Sequence, residues 1–282
     1  MREGAKKVFV VLSVVLAFVV FCPWAYAEEV SPKETVPARE SLPKGDKWQV
    51  DVMPYFWAAS LTGDVMVKGL QSHVNESFSD LVKYIDAGGM AHAEVMKGNW
   101  GFFVDGIYLK LSDSGDAFHQ KVGFVSGDVK IENWIVELGG LYRIGQWPLG
   151  DNKKTRLSLD ALGGGRYWYL KGTLNFSAPN LGVFLDNSAS KEWVDPFVGL
   201  RMQADLTENL VFQLRGDIGG FGVGSNFSWN ASGVFGYSFT PMVSGWLGYR
   251  AMAVDYESGS GANKFKYDVT MYGPIMGLGL RF

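Results

Sequence analysis

The sequence predicts an all-β protein: an antiparallel, up-and-down transmembrane β-barrel of about ten strands, with twelve and eight as the alternatives. Three observations predict it. Large apolar and small polar residues alternate with period two along most of the chain, the spacing of strands rather than helices. After Phe21 no run of about 18 apolar residues occurs, so a helical membrane protein is excluded for the bulk of the chain. The polar face mixes acids, arginines, Gly and Ser with almost no Lys, whereas a water-exposed sandwich face is rich in Lys, Glu and Thr. Apolar outside and polar inside is the barrel pattern, and in hydrocarbon only helices and closed barrels satisfy every backbone group.

The first residues are an address. Arg2, Lys6 and Lys7 precede an apolar run from Val8 to Phe21, and Ala25-Tyr26-Ala27 is a small-x-small cleavage site, so residues 1–27 read as a secretory signal peptide. Phe21 before Cys22, where a lipid-modified cysteine follows a small residue, argues against a lipoprotein. Cleavage after Ala27 leaves a chain without cysteine, so something other than disulfides closes the structure. Residues 28–46 carry three prolines, many charges and almost nothing apolar, the composition of a flexible periplasmic leader. The barrel domain is then 47–282.

The strands are read at 47–58, 87–97, 100–113, 127–145, 155–172, 191–206, 209–223, 226–240, 243–257 and 265–282. In the clearest of them Phe227, Trp229, Ala231, Phe235, Tyr237 and Phe239 share one face, and Ser228, Asn230, Ser232 and Ser238 the other. An even count places both termini in the periplasm. The short connections at Gly98-Asn99, Thr207-Glu208 and Pro241-Met242 then fall on the periplasmic side, with 146–154 longer. Those near 113–126, 173–190 and 258–264 are extracellular loops. Trp48, Trp100, Tyr142, Tyr249 and Phe282 belong to interfacial girdles. Between 61 and 86, residues 63–68 and 72–76 could add a hairpin. Phe78, Leu81, Val82 and Ile85 follow at helical spacing behind Ser77 or Ser79 as N-cap, a short helix in the first extracellular segment that could fold into the mouth.

The chain ends Met276-Gly-Leu-Gly-Leu-Arg-Phe282, which resembles the C-terminal strand of Gram-negative outer-membrane proteins. That resemblance implies recognition of Phe282 by the barrel assembly machinery, in a surrounding of outer-membrane lipid and lipopolysaccharide. With Phe282 outward, the inward list includes the acids Glu94, Asp105, Glu137, Asp160, Asp195 and Asp217, and the bases Arg143, Arg166, Arg201, Arg215 and Arg250. Asp51, Asp205 and Arg281 complete the inward list, eight acids against six bases. Every base is Arg, whose planar fork pairs two-point with carboxylates and suits a crowded polar interior. Unpaired, such charges would cost several kcal/mol each, so the list predicts a bonded network holding the barrel together. With Tyr55, Trp57, Trp168 and Phe197 also inward, a wide pore is not expected of a ten-stranded barrel. Asp217 and Arg215 are expected to find Arg250 and Asp195 near them.

Catalytic signals are sparse. The chain has three histidines, His73, His92 and His119. His92 faces inward two residues from Glu94, while His73 and His119 fall in extracellular segments where a rim His–Asp pair could form. There is no HExxH or CxxC, and Gly220-Phe-Gly-Val-Gly224 imitates a nucleotide loop without the Lys or helix that would follow. No cofactor and no metal are expected. A formal charge of −3 without a basic run argues against nucleic acid.

Gly216-Asp-Ile-Gly-Gly-Phe-Gly-Val-Gly-Ser225, Trp229, Gly248-Tyr-Arg250, Asp255-Tyr256 and Gly273-Pro274 together resemble a widespread family of uncharacterised outer-membrane β-barrel proteins. Pro54-Tyr-Phe-Trp57, Phe78-Ser-Asp-Leu81 and Trp193-Val-Asp-Pro196 fit it too. The resemblance spans most of the chain after the leader. It implies location and architecture and transfers no activity. The expectation is a monomeric integral barrel with a structural, adhesion or envelope role and no enzymatic activity. The alternatives are a narrow channel or carrier for small polar or hydrophobic molecules and, third, a rim-active hydrolase. The excess of Gly (36 residues) and of aromatics (19 Phe, 12 Tyr, 10 Trp) fits lipid-facing girdles around a wall that must bend.

Overall fold

A computed structural model describes residues 47–67, 70–114, 126–149, 155–178 and 183–282. The signal peptide and the leader expected from the sequence lie outside the described residues, as does His119. Twelve strands form one antiparallel sheet: β1 (Trp48–Trp57), β2 (Ser60–Val67), β3 (Leu70–Glu76), β4 (Ile85–Lys97), β5 (Trp100–Ser114), β6 (Ser126–Leu149), β7 (Thr155–Ala178), β8 (Val183–Asp205), β9 (Leu210–Gly219), β10 (Phe227–Ser238), β11 (Val243–Ser258) and β12 (Phe265–Arg281). Ten of them, β1 and β4 to β12, close on themselves through β1 and β12. The first and last segments meet there, Asp51 opposite Arg281, with Val50 and Phe282 exchanging backbone hydrogen bonds of 3.2 and 2.9 Å.

β1 and β2 are one strand with a break at Ala58-Ala59. β12 pairs with β1 up to Ile275 and resumes with β2 from Tyr272. The wall is tight at the break, where a Cβ on Gly273 would lie 2.0 Å from the Ala58 carbonyl oxygen, so this position takes only Gly. β3 folds back along β2, while β4 pairs with β1 only as far as Pro54. The membrane-level barrel therefore has ten strands, and the hairpin β2–β3 stands above it as an extension of the first strand.

Alternation makes the faces. Along β12, Phe265, Tyr267, Val269, Met271 and Ile275 are buried in the lumen, while Met276, Leu278 and Leu280 are exposed outside. The outer surface carries Phe102, Leu138, Val198, Leu200, Leu214, Ile218, Phe235 and Leu247 exposed. So much exposed apolar area on a closed wall marks a surface meant for hydrocarbon. Aromatic pairs mark its edges: Trp100 with Tyr142 (centroids 4.7 Å apart) and Tyr237 with Phe239 (5.5 Å) near the terminal end, and Tyr108 with Trp134 (4.3 Å) toward the other.

The structure differs from the sequence reading in four places. Residues 146–149, read as part of the connection 146–154, are strand, since β6 runs to Leu149. Most of the region read as a loop at 173–190 is strand, since β7 runs to Ala178 and β8 starts at Val183. Above the membrane no apolar face is required, so Ser- and Asn-rich strand is indistinguishable from loop by composition. β9 ends at Gly219 rather than 223, because residues 220–226 make the turn to β10. The helix α1 is a single turn, Phe78–Leu81, prolonged by a 3-10 turn over Val82–Tyr84, and Ile85 already belongs to β4. None of its residues is buried, and Phe78 packs edge-to-face on Phe56 at 5.5 Å. It lies against the wall and not in the mouth. Ser77 precedes it, but its hydroxyl donates to Asp80 instead of capping an amide.

Candidate functional site: a layered, closed lumen

The eleven charged residues read from the sequence as a lumen network all lie on β4 to β11, and strand pairing orders them. One rung of the ladder runs Arg143, Asp160, Arg201, Arg215, Ser232, Arg250 across six consecutive strands. Neighbouring arginines on one face repel, and Asp160 is the one acid in this rung, so the remaining counter-charges reach in from other rungs.

The buried acids form three groups. In the first, Asp160 accepts from Arg143 Nε at 2.8 Å and from Arg201 Nε and Nη2 at 3.0 and 2.8 Å. Arg201 in turn forks onto both oxygens of Glu94 from the opposite wall. The second group centres on Glu137, which is fully buried and meets three guanidinium groups: Arg166 Nε at 3.0 Å, Arg250 Nη2 at 3.2 Å and Arg215 Nη2 at 2.7 Å. Asp217 accepts from Arg166, from Arg215 Nε at 3.1 Å and from Asn230 Nδ2 at 2.9 Å. Asp105 receives Arg250 Nη1 at 3.1 Å and the Tyr55 hydroxyl at 2.9 Å, with His92 Nδ1 at 3.2 Å. The guanidinium planes of Arg166, Arg215 and Arg250 also lie over Phe197, Phe103 and Trp57 at 5.1, 5.0 and 5.3 Å, where aromatic faces attract cations.

The third group contains no cation. Asp195, fully buried, accepts the Ser225 amide at 2.7 Å, the Ser225 hydroxyl at 2.8 Å and Trp168 Nε1 at 3.0 Å. This corrects the expectation that Asp195 belongs with Arg215 and Asp217. The Gly-rich turn exists to reach it. Gly220 and Gly222 adopt φ of +85° and +74°, and a Cβ on Gly224 would sit 2.4 Å from the Val194 carbonyl oxygen. The nucleotide-loop look of residues 220–224 is thus the geometry of a tight turn presenting one amide to one carboxylate.

Sequence reasoning passed over Asn230, whose amide bridges Arg250 (3.0 Å) to Asp217, and Ser225. Asn230 sits on the polar face of its strand, so alternation placed it inward. Its role depends on what faces it across the lumen, which alternation does not report.

Beyond this layer, toward the end opposite the termini, the lumen turns apolar. Ile107, Ile135, Trp168, Trp193, Met252, Val254, Phe265, Tyr267, Val269 and Met271 form one buried cluster. Trp193 stacks on Tyr256 at 4.0 Å and 9°. On the terminal side the network borders a vestibule of about 140 Å3. The only rim His–Asp pair among the described residues is His73 with Asp64, Nδ1 to Oδ1 2.9 Å, on the β2–β3 hairpin. Both groups are exposed, and no hydroxyl is bonded to this imidazole among the described residues.

A closed strand wall, an apolar outer belt and a polar lumen are the architecture of outer-membrane proteins, and this chain is an outer-membrane β-barrel. No protein-family model matches it, and no curated protein sequence matches it. Solved structures that resemble it include the outer membrane protease OmpT from Escherichia coli, with TM-score 0.46, 9% identity, 86% of this chain and 100% of that chain covered. The translocator domain of the autotransporter NalP from Neisseria meningitidis gives TM-score 0.40 and 13% identity over 86% and 91%. The attachment invasion locus protein Ail of Yersinia pestis gives 0.34 and 13% over 83% and 98%. At these identities and scores the likeness is one of barrel architecture, and no activity crosses with it.

Proposed function

We propose that this protein is a non-conducting outer-membrane barrel with a structural role in the envelope, its lumen sealed by its own side chains. The observation that carries this reading is the stacking of two seals in series: an ion-pair layer spanning the lumen from Glu94 to Arg201 and from Tyr55 to Arg250, and an apolar plug beyond it. A hydrated ion would have to part salt bridges whose members are almost completely buried, and breaking one such pair costs about 3–5 kcal/mol. Phe282, outward at the closing seam, is the residue through which the barrel assembly machinery would recognise the chain, and lipid with lipopolysaccharide is the surrounding its belt fits.

The test is conductance in planar bilayers. A sealed barrel gives no discrete current steps, either in the natural protein or after added salt. Reproducible steps that change size in Arg201→Ala would replace the structural reading with a narrow channel.

A further inference from the structure

The seals leave a vestibule on the terminal side, and its lining is not electrostatically neutral. Taken whole, the central network is balanced, five carboxylates (Glu94, Asp105, Glu137, Asp160, Asp217) against five arginines (Arg143, Arg166, Arg201, Arg215, Arg250). The vestibule sees a different selection. Its walls carry Arg143, Arg201, Arg215, Arg250 and Arg281 but only Asp51, Glu94 and Asp105 as acids. Asp160, Glu137 and Asp217, the partners of Arg143 and Arg215, stand behind those guanidinium groups and do not line the cavity.

The donors are not used up either. Arg143 spends Nε on Asp160, and its two terminal nitrogens have no partner among the described residues. Arg215 spends Nε and Nη2, leaving Nη1. Unlike Arg166 Nη1, which is sealed away without a partner, these nitrogens are not shut off from the cavity. The carboxylates there are all committed. Asp51 takes Arg281 and Gln49, Glu94 takes Arg201, and Asp105 takes Arg250 and Tyr55. One rung toward the termini, Gln203 faces Gln213 across β8 and β9. Gln213 makes no side-chain hydrogen bond among the described residues, and both amides line the same cavity.

We propose that the vestibule is a binding site for a small oxyanion, a carboxylate or a phosphate, held by the spare edges of Arg143 and Arg215 and by the amides of Gln203 and Gln213. Guanidinium forks and carboxamides are the donors that planar or tetrahedral oxyanions take. An anion there meets the spare edges of Arg143 and Arg215 and the Gln213 amide, while Gln203, whose Nε2 donates to Asp205 at 3.3 Å, would turn from that carboxylate to reach it. The size fits: a vestibule of about 140 Å3 is close to the ~150 Å3 cavity that holds one benzene, the scale of one small anion. A peptide or oligosaccharide is too large. The short turns at this end put the opening in the periplasm, so the ligand is a periplasmic solute and not an extracellular one.

The experiment uses the full barrel refolded in detergent, with thermal unfolding followed by gel heat-modifiability while sodium chloride is exchanged for sodium acetate or sodium phosphate at equal ionic strength. Binding to the folded state alone raises the unfolding temperature saturably. A rise with acetate only assigns a carboxylate ligand, with phosphate only a phosphate ligand, and with both the shared oxyanion chemistry. No rise with either overturns the proposal. Gln213→Leu breaks no ion pair and leaves the ligand-free unfolding temperature in place. It should weaken the anion effect about tenfold, as the loss of a charge-assisted hydrogen bond does. An anion effect undiminished in both Gln213→Leu and Arg143→Gln would also overturn the site. Conductance plays no part in this readout, so a barrel found to conduct would leave the site standing, and a failed titration would leave the sealed lumen standing.

Discussion

The two halves of the lumen close the same wall by opposite means. The half nearer the termini holds charges, packed among Met96, Phe103, Leu141, Leu162 and Phe197, whose positions must agree in direction as well as distance: Glu137 serves three guanidinium groups. The outer half is filled by volume, with Trp168, Met252, Val254 and Val269 almost wholly inaccessible. The first is sensitive to chemistry at constant shape, the second to shape at constant chemistry. Asp195 stands at the boundary yet takes all its donors from the outer side, Trp168 Nε1 from the plug and the amide and hydroxyl of Ser225 from the turn between β9 and β10.

Substitutions that keep volume break the comparison most directly. Glu137→Gln changes almost no volume, yet leaves Arg166, Arg215 and Arg250 short of a counter-charge. It should cost about 3–5 kcal/mol of unfolding free energy, measured by urea titration in lipid vesicles. A cost under 1 kcal/mol would show that water already relieves the network. Ser225→Ala removes one donor to buried Asp195 and should cost about 1–3 kcal/mol in the same titration. If it costs nothing, the turn is not held by that carboxylate. Met252→Leu, equally conservative in volume but inside the plug, should cost less than about 1.5 kcal/mol. A larger loss would mean that the plug also depends on exact side-chain shape.

The smallest effect lies outside both halves, on the β2–β3 hairpin. The hydrogen bond from His73 holds the exposed Asp64 carboxyl below its ordinary value of 3.8, despite some opposing desolvation. A carboxyl lowered by folding stabilises the folded hairpin fully above its unfolded value. That contribution is lost as pH falls through the lowered one. Hydrogen-exchange protection of Thr62 to Val65 should therefore drop below about pH 3.8 in the natural protein and lose this pH dependence in Asp64→Asn. An unchanged dependence in the variant would assign it to another group.

Why some of this was readable in the sequence and some was not follows from the geometry of strands. A period of two is a property of consecutive residues, so facing could be read directly: Arg201, Asp217 and Arg250 point inward because Leu200, Ile218 and Tyr249 point out. Partnership is set by which rungs come level across the lumen, and that depends on the stagger between distant strands. Arg201 finds Glu94, 107 residues away, and Asp195 finds Ser225 rather than Arg215. The overlong β7 and β8 escaped for another reason: beyond the membrane neither face has to be apolar, and the alternation that identifies a strand fades.

The seam between β1 and β12 has a consequence for the order of events in folding. The strands that close the barrel are the most distant in the chain, so closure has the largest loop to bring together and comes late. Several contacts of the charge layer cross that seam or join its neighbours: Asp51 with Arg281 across 230 residues, and Tyr55 with Arg250 across 195. Until the last strand arrives, Tyr55 and Asp51 lack these partners. The salt bridges thus work as a latch and not as a zipper: they set only when the ring is complete, and an unfinished ring is left with loose charge, a state easy to tell from a finished barrel.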